Sequence, residues 1–496
     1  MCVKYSQQWN LCEHLEALPT ILGIIYFASW MQYSLNVPDK KLNGHRVLRK
    51  NRRKGMKKYN VCIVGGGSTY TPGFLKSFVR LQNEFPMEKL VLFDIDAERQ
   101  QPIGEFGKIL FSERFPELDF TYTTDPAEAY KDMDFIFMQM RAGGLPMRRE
   151  DEHIPLHLGR IGQETCGAGG MAYGLRSCVD MIEAIHQIRQ YSPNAWILNY
   201  SNPAAIVAEA LRREFPDDNR ILNICDQPEN IMRSVSRLLN VSWEDLDPVY
   251  FGLNHYGWFT HVYDRKTGED LLPEIKKIIK EKGFLPQDAE QRDQSWLDTY
   301  GFVQTMMEDF PDFLPNTYDG YYLYPDYKFS HLNPDYTRAD EVIDGREKRV
   351  FAECREVIAR GELGDRFDTI SDAHAEMMIK VAEAIAYNKN TRFIVIVKNE
   401  GAIANMQDDA MVELVCELGI NGPRRMAVGN IPQFYLGLLV QQVSSEKLLV
   451  DAYYEHSYQK ALEAFTLNRL INDAKKAREI LDAMIEVNKG MWPELK

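Results

Sequence analysis

Short apolar runs alternate with amphipathic stretches between residues 59 and 224. Runs of β-branched and aromatic residues predict strands, and apolar positions at helical spacing predict helices between them. The predicted strands are 59–64, 90–93, 120–123, 135–140, 195–199 and 220–224, and the predicted helices are 72–81, 99–115, 177–190 and 204–214. This alternation predicts an α/β fold in which helices cover both faces of a mostly parallel sheet.

The pattern becomes irregular beyond about Pro248, with aromatic and proline-rich loops over residues 314–334. Helical periodicity returns at 350–360 and 373–387, followed by a strand at 393–397 and a helical tail from residue 444. We therefore predict an N-terminal extension over 1–55, a sheet domain over 56–247 and an α+β C-terminal domain over 248–496. Because no long linker separates the last two, we expect a shared interface with the functional site between them.

The net charge and the cysteine pattern limit the partners and the cellular compartment that are expected for this protein. The formal net charge of -14 would repel nucleic acid and anionic membranes, so neither is an expected partner. An anionic substrate would need a local cluster of arginines. The eight cysteines are scattered without a repeating framework, which favours free thiols in a reducing compartment, with cytoplasm as the expected location.

The first 55 residues differ from the rest of the chain. Their apolar stretch, residues 18–33, is interrupted by Pro19 and Gly23 and is short for a membrane span. It is compatible with an uncleaved anchor or an ordinary helix. The alternative hypothesis is that the natural protein starts at Met56, because residues 52–55 correspond to what a purine-rich ribosome-binding sequence would encode.

A glycine-rich loop follows the first predicted strand and consists of Gly65, Gly66, Gly67, Ser68 and Thr69. A strand, a tight glycine turn and a helix in this order are typical of a Rossmann-like dinucleotide site, although Tyr70 occupies the position of the third glycine.

Two carboxylates, Asp94 and Asp96, end the second predicted strand. A carboxylate at this position accepts hydrogen bonds from a ribose diol and repels a 2′-phosphate, so the sequence predicts NAD rather than NADP. The alternative is a tight structural turn followed by a solvent-facing acidic turn.

Three further loops, 199–203, 223–228 and 252–255, fall near the carboxyl ends of predicted strands, where ligands bind in such sheets. They carry Cys225 and His255, and a thiolate with an imidazole suits a transition cation. From the residues alone, a buried core thiol and a loop histidine remain the simpler interpretations.

Two arginines, Arg148 and Arg338, could bind a phosphate, since a planar guanidinium donates to phosphate through two forked donors. Composition alone would make both of them solvated surface residues. Tyr318 lies in a stretch crowded with aromatic residues, where packing is the simpler interpretation.

Eight segments in fixed order together resemble glycoside hydrolase family 4, and most closely its members that act on 6-phospho-α-glucosides. They are GGGSTYTPG, IGQETCGAGG, NYSNPAAIVAEA, LNICD, GLNHYGW, PNTY, RFIVIVKNEGAIAN and WPELK. The resemblance covers the chain from about Lys57 to the C-terminus. It implies a lactate or malate dehydrogenase-like NAD domain and hydrolysis of maltose 6′-phosphate-type substrates to glucose 6-phosphate.

The resemblance also assigns roles. It makes Cys225 and His255 ligands of a divalent cation, most often Mn²⁺, with Fe²⁺, Co²⁺ or Ni²⁺ as alternatives. Arg148, Asn202 and Arg338 would hold the sugar phosphate and hydroxyls. Asp226 would be the proton donor and Tyr318 the base.

The implied reaction is an exception to two-carboxylate glycoside hydrolysis. NAD would accept a hydride from C3, the cation on O2 and O3 would act as Lewis acid, and Tyr318 would remove the acidified C2 proton. Asp226 would protonate the departing oxygen, water would add, and the hydride would return, so that NAD is not consumed.

The residue after the metal cysteine distinguishes family members: Asp accompanies α-glucosides and Asn accompanies 6-phospho-β-glucosides. Asp226 therefore favours the α linkage. Gln227 stands where these members usually carry Met, which bears on the preferred aglycone.

Several alternatives remain at this point. They are a 6-phospho-β-glucosidase or α-galactosidase of the same family, a lactate or malate-type dehydrogenase, and an NAD-sensing protein without activity. Family members are typically homodimers or homotetramers, and a phosphorylated sugar substrate again implies the cytoplasm.

Overall fold

A computed structural model describes residues 56–286, 289–292, 294–364 and 373–496. The expectations for residues 1–55, including the start at Met56 and the apolar stretch, lie outside the described residues. Lys58–Lys496 form one compact unit. Its six described cysteines are buried and free, as predicted. Within the described ranges, no helix combines the length and apolar character needed to cross a membrane.

Strands and helices alternate through the first half of this unit. They are β1 (Tyr59–Val64), α1 (Thr71–Leu81), β2 (Met87–Phe93), α2 (Ala97–Arg114), β3 (Asp119–Thr123), α3 (Pro126–Ala129), β4 (Phe135–Met138), α4 (Gly144–His157), α5 (Gly167–Tyr191), β5 (Trp196–Asn199), α6 (Ala204–Glu214), β6 (Ile221–Asn223) and α7 (Gln227–Leu239). The six strands pair in parallel in the order β3-β2-β1-β4-β5-β6. This order is that of a doubly wound dinucleotide-binding sheet, which confirms the predicted fold class.

The second half contains a β-hairpin, a helical region and the C-terminal helices. Its elements are β7 (Leu246–Leu253), β8 (Tyr256–Asp264), α8 (Leu272–Lys282), α9 (Gln294–Asp309), β9 (Leu314–Pro315), α10 (Asp319–Leu323), α11 (Pro325–Ser330), α12 (Arg338–Glu341), α13 (Lys348–Arg360), α14 (Ala373–Ala386), β10 (Thr391–Lys398), β11 (Met411–Gly419), β12 (Gly422–Arg425), α15 (Gln433–Glu455), α16 (Tyr458–Leu467) and α17 (Ala474–Val487). A π-helical turn, Val342–Glu347, joins α12 to α13.

One sheet runs through both halves. β10 lies antiparallel to β6, with Ile396 opposite Asn223. From β10 the sheet continues through β11, β7, β8 and β9, and β12 pairs with the other part of β11. β10 and β11 separate β6 from β7, and one row of paired residues, Asn223, Ile396, Glu413 and Gly252, crosses the four strands close to the ends of β6 and β7. The division into domains at residue 248 stays a prediction.

Two of the regions that the sequence did not predict have a clear physical reason. The polar section 141–174 contains α4 and the start of α5, and it has no apolar stripe because α4 buries charged side chains, among them Arg148, Asp151 and Glu152. β11 was not predicted, because it is buried on both faces and so lacks the alternation of a half-buried strand.

Candidate active site

The glycine loop follows β1 directly. Gly65 has a φ of 88°, and the N–H groups of Gly65 and Gly66 donate to the carbonyl of Phe93 at 2.9 and 2.8 Å. A Cβ on Gly66 would lie 2.9 Å from Leu92 Cβ, so a larger residue would push the loop away from β2. The glycines thus hold the loop against the sheet, as a close backbone approach to a ligand requires.

The N-terminus of α1 completes this loop. Ser68, Thr69 and Tyr70 are half-buried beside it. Tyr70 precedes the helix without capping it through its side chain, and the first turn carries no acidic residue. Unpaired N–H groups and the helix dipole at such an end favour an anion, so the loop fits a dinucleotide pyrophosphate.

The two predicted ribose-binding carboxylates have different surroundings. Asp94 accepts hydrogen bonds from the N–H groups of Gly67 at 2.7 Å and Asp96 at 3.0 Å. Burial raises its pKa. Asp96 is exposed and caps α2 by accepting from Arg99 N at 2.9 Å. Asp94 thus binds the backbone of the glycine loop, whereas Asp96 caps the N-terminus of α2.

Cys225 and His255 face each other. His255 is in the two-residue turn between β7 and β8 with a φ of 62°, and its Nε2 lies 3.5 Å from Cys225 Sγ. The other ring nitrogen, Nδ1, lies 3.0 Å from Thr165 Oγ1. A hydrogen bond at one nitrogen orients the ring so that the other nitrogen is available as a ligand.

This pair fits a shared cation. Bond lengths of about 2.3 Å to sulfur and about 2.1 Å to nitrogen place two ligand atoms of one cation roughly 3.1 to 3.6 Å apart. Burial lowers the pKa of His255 to about 4, which keeps the imidazole neutral as ligation requires. Across the described ranges, no three or more His, Cys, Asp or Glu side chains form a metal-binding group. These two ligands would leave other coordination positions to substrate hydroxyls.

Asp226 follows Cys225 in the loop between β6 and α7. It is buried and accepts short hydrogen bonds from Tyr200 Oη and Asn230 Nδ2. Its carboxylate is therefore oriented by two donors from different elements. This arrangement suits a group that delivers a proton at a defined place.

Tyr318 packs against the ring of His255. The two rings stack with centroids 4.3 Å apart and an interplanar angle of 8°. Burial, followed by the nearby Glu164 carboxylate, raises the pKa of Tyr318 well above its ordinary value. The protein itself therefore does not activate this phenol, and the required positive charge would have to come from a cation beside it.

One carboxylate, that of Glu152, joins Arg148 to the helix start that carries Arg338. Arg148 is buried and donates from Nε to Glu152 Oε1 at 2.8 Å. Glu152 Oε2 accepts from the backbone N–H of Ala339 at 2.7 Å, next to Arg338 at the start of α12. Arg148 Nε is also 3.2 Å from Glu164, whose negative charge acts to raise the pKa of both Tyr318 and His255.

Asn202 is in the loop after β5 and is joined to Pro203 by a cis peptide bond. Its carbonyl accepts from Ser177 Oγ at 2.9 Å, so its side chain does not provide that contact. Gln227, the departure from the family pattern, donates to Thr317 Oγ1 at 2.6 Å. That bond joins the residue after Asp226 to the residue before Tyr318.

A family model described as "Family 4 glycosyl hydrolase" matches residues 60–241, and a second, "Family 4 glycosyl hydrolase C-terminal domain", matches residues 250–471. The chain belongs to glycosyl hydrolase family 4. Both matches fall within the compact unit, so the glycine loop and the cysteine–histidine pair are parts of a family 4 structure.

Three proteins illustrate the similarity of this family 4 hydrolase to its relatives. The phospho-alpha-glucosidase PagL of Clostridium acetobutylicum is 50% identical over 444 residues, 89% of this chain and 100% of that protein. A crystal structure of a 6-phospho-alpha-glucosidase from gut microorganisms, in complex with NAD and Mn²⁺, is 99% identical with a TM-score of 0.88, covering 89% of this chain and all of that one. Another such structure, in complex with NAD and glucose-6-phosphate, is 43% identical with a TM-score of 0.84 over the same shares.

Several residues of the family 4 site were not singled out from the sequence. Glu164, Thr165 and Tyr200 lie inside conspicuous motifs, so the motifs themselves were the available signal. Glu413 is fully buried on β11 and accepts from Asn254 Nδ2 at 3.1 Å and Tyr250 Oη at 3.0 Å. Its signal was a lone carboxylate in an apolar run, which is rare unless the group is paired or functional.

Proposed function

We propose that this family 4 hydrolase cleaves 6-phospho-α-glucosides, such as maltose 6′-phosphate, and releases glucose 6-phosphate. It is a glycosidase that requires NAD and a divalent cation, Mn²⁺ in the relative that is 99% identical. The observation that carries the proposal is the contact between Cys225 and His255 with Asp226 and Tyr318 on either side. The residues proposed as cation ligands, proton donor and base are thus neighbours, which supports the proposal.

Bound NAD supplies reversible oxidation at C3 of the sugar, which acidifies the neighbouring C2 proton. Tyr318 accepts that proton. Its stacking on His255 fixes the ring beside the cation ligands, whose cation counteracts the rise in the pKa of the phenol. Asp226 donates a proton to the departing oxygen at C1, and Tyr200 and Asn230 hold its carboxyl in place.

Arg148 and Arg338 bind the 6-phosphate. Glu152 supports this proposal because it accepts from the Arg148 side chain and from the backbone N–H of Ala339, the residue after Arg338. Both are already ion-paired, Arg338 with Glu341 at 2.6 Å, so phosphate would compete with carboxylates for them. The bound glucose-6-phosphate in the relative with 43% identity supports a phosphorylated sugar.

The α linkage follows from Asp226 and from the similarity to phospho-alpha-glucosidases. A cytoplasmic location and a homodimer or homotetramer remain parts of the proposal, to be checked by fractionation and by light scattering.

One assay tests the function. A chromogenic 6-phospho-α-glucoside and its β anomer would be incubated with NAD⁺, Mn²⁺ and a thiol reductant, and each component omitted in turn. We expect release of glucose 6-phosphate from the α anomer only, without net reduction of NAD and only when both cofactors are present. Net NADH formation would support a dehydrogenase instead. Activity that survives the removal of both NAD⁺ and the cation would refute the mechanism.

A further inference from the structure

The π-helical turn Val342–Glu347 interrupts a helix that otherwise runs from Arg338 to Arg360. Such insertions change the direction of side chains and often occur at functional sites. Here the turn packs on the glycine loop. Glu347 forms an ion pair with Arg99, in the first turn of α2.

Arg346, in the same turn, is fixed against Tyr70. Its guanidinium carbon lies 4.5 Å from the centroid of the Tyr70 ring, and its Nη1 donates to Tyr70 Oη at 2.8 Å. Tyr70 directly precedes α1. A residue from the second half of the chain is therefore held in a defined orientation at the proposed pyrophosphate site.

The hydrogen bonding of Arg346 is incomplete. Its Nε is buried and has no hydrogen-bond partner. No carboxylate within the described ranges lies within ion-pair distance of it, whereas Arg99, Arg141 and Arg148 each pair with a glutamate. A guanidinium that no carboxylate neutralises keeps its charge available for a bound anion.

The surroundings of Arg346 are positive. Burial acts to raise the pKa of Glu164, but Arg141, Arg148 and then Arg346 hold it at about 2. Arg346 thus contacts the residue that follows the glycine loop, and its charge also acts on Glu164, which pairs with Arg148, one of the arginines proposed for the sugar phosphate.

We propose that Arg346 binds a phosphate oxygen, from either the pyrophosphate of NAD or the 6-phosphate of the sugar. The proposal rests on the proposed function for the identity of the two ligands. Tyr70 supports the flat face of the guanidinium and takes Nη1, and within the described ranges no residue accepts from Nη2, which is left to donate to the phosphate. Arg346 thereby joins the π-helical turn to the nucleotide side of the site.

Two binding measurements test this, and neither requires catalysis. The dissociation constant for NAD⁺ would be measured by calorimetry on the full chain. The constant for glucose 6-phosphate would then be measured with NAD⁺ and Mn²⁺ at saturation. We expect Arg346→Gln to weaken one of them by about 10-fold or more. Arg346→Lys should recover part of this loss because it keeps the charge but not the fork.

Arg349→Gln is the matched control, because Arg349 is exposed one turn further along the same helix. It should leave both constants unchanged. Weaker NAD⁺ binding alone would identify the pyrophosphate, and weaker glucose 6-phosphate binding alone would identify the sugar phosphate. Unchanged constants in a folded Arg346→Gln variant would overturn the proposal.

If Arg346→Gln does not fold, Tyr70→Phe removes the hydroxyl that orients the guanidinium and should weaken the same ligand by a smaller factor than the loss of Arg346. Unchanged affinity in both Tyr70→Phe and Arg346→Lys would equally overturn the proposal. An absence of hydrolysis in the wild type would count against the proposed function but would leave both binding constants measurable.

Discussion

At the scale of single residues, Cys225 and Asp226 are neighbours in the chain but belong to different networks. Cys225 faces His255, while Asp226 accepts from Tyr200 and Asn230. Metal binding and proton delivery are therefore supported by separate partners, and substitutions of those partners should have separable effects.

Thr165→Val tests the support of the metal site. The variant loses the contact to His255 Nδ1 but keeps the shape of the side chain. Loss of such an outer partner typically costs 10–100-fold in metal affinity. We expect a loss of Mn²⁺ affinity within this range, measured as activity against Mn²⁺ concentration, with turnover largely restored at saturation.

Thr391→Val, at an exposed position of β10, is the control for this loss. An unchanged Mn²⁺ dependence in Thr165→Val would contradict the role assigned to the threonine.

Asp94→Ala and Asp96→Ala should separate cofactor binding from helix capping. Asp94 lies on the glycine loop, so its loss should weaken NAD⁺ binding by about 10-fold and reduce the preference over NADP⁺. Asp96 caps α2, so its loss should cost about 1 kcal/mol of stability with little change in affinity. Titration with both nucleotides and thermal denaturation of each variant provide the measurements, and the reverse pattern would exchange the two roles.

The sequence identified site residues unevenly. Gly65 and its neighbours follow from physical reasoning on a strand, a turn and a helix. Cys225 and Asp226 were identified as ligand and acid only through the family resemblance, since a buried cysteine is usually a core residue. Arg346 could not be identified from the sequence, because its proposed role depends on a contact with Tyr70, which lies 276 positions away in the chain.

At the scale of elements, helix α15 carries a buried carboxylate away from the site. Glu446 accepts from Gln442 Nε2 at 2.9 Å, one turn earlier in the helix. Burial raises its pKa from 4.5 to about 7, and the nearby Glu209 adds to the rise. The folded protein therefore keeps this proton in a pH range where the unfolded chain has lost it.

The sign of the pH effect follows from linkage. Between pH 4.5 and about 7 the native state binds more protons at Glu446 than the unfolded state, so stability falls as pH rises. We expect Glu446→Gln to remove this loss. Its free energy of unfolding should exceed that of the wild type by at most about 3 kcal/mol at pH 8 and should differ little at pH 4. Melting temperatures of both proteins across this range would show it.

Glu463→Gln is the matched control for Glu446→Gln. Glu463 accepts from Gln459 at the same helical spacing, at 3.0 Å, but it is exposed. Its substitution should not change the pH dependence. An equal effect of the two substitutions would indicate that burial of Glu446 is not the cause.

Secondary structure was predictable where one face of an element is buried. β1 and α6 show the expected runs and periods, and the structure has them at nearly the predicted positions. α4 was missed because ion pairs replace an apolar stripe: Arg148 pairs with Glu152 inside the helix, and Asp151 pairs with Arg176 of α5. The pairing of β10 with β6 was not predictable from local pattern, since it joins residues about 170 positions apart.

At the scale of the whole molecule, every proposed site residue lies within the compact unit Lys58–Lys496. We therefore expect a chain starting at Met56 to match the full-length protein in specific activity and melting temperature, with both measured side by side. A clear loss of either would show that residues 1–55 contribute to the enzyme and would contradict Met56 as a sufficient start.

The strand order of the sheet has a consequence for synthesis. β10 and β11 insert between β6 and β7, although more than a hundred residues separate β7 from β10 in the chain. A nascent chain therefore exposes one edge of β6 until residue 398, the end of β10, has left the ribosome. Exposed strand edges promote association with other chains. Ribosome-bound chains ending before residue 391 should thus be chaperone clients, and they also lack the two strands that connect β6, which precedes Cys225, to the β7–β8 hairpin, which carries His255.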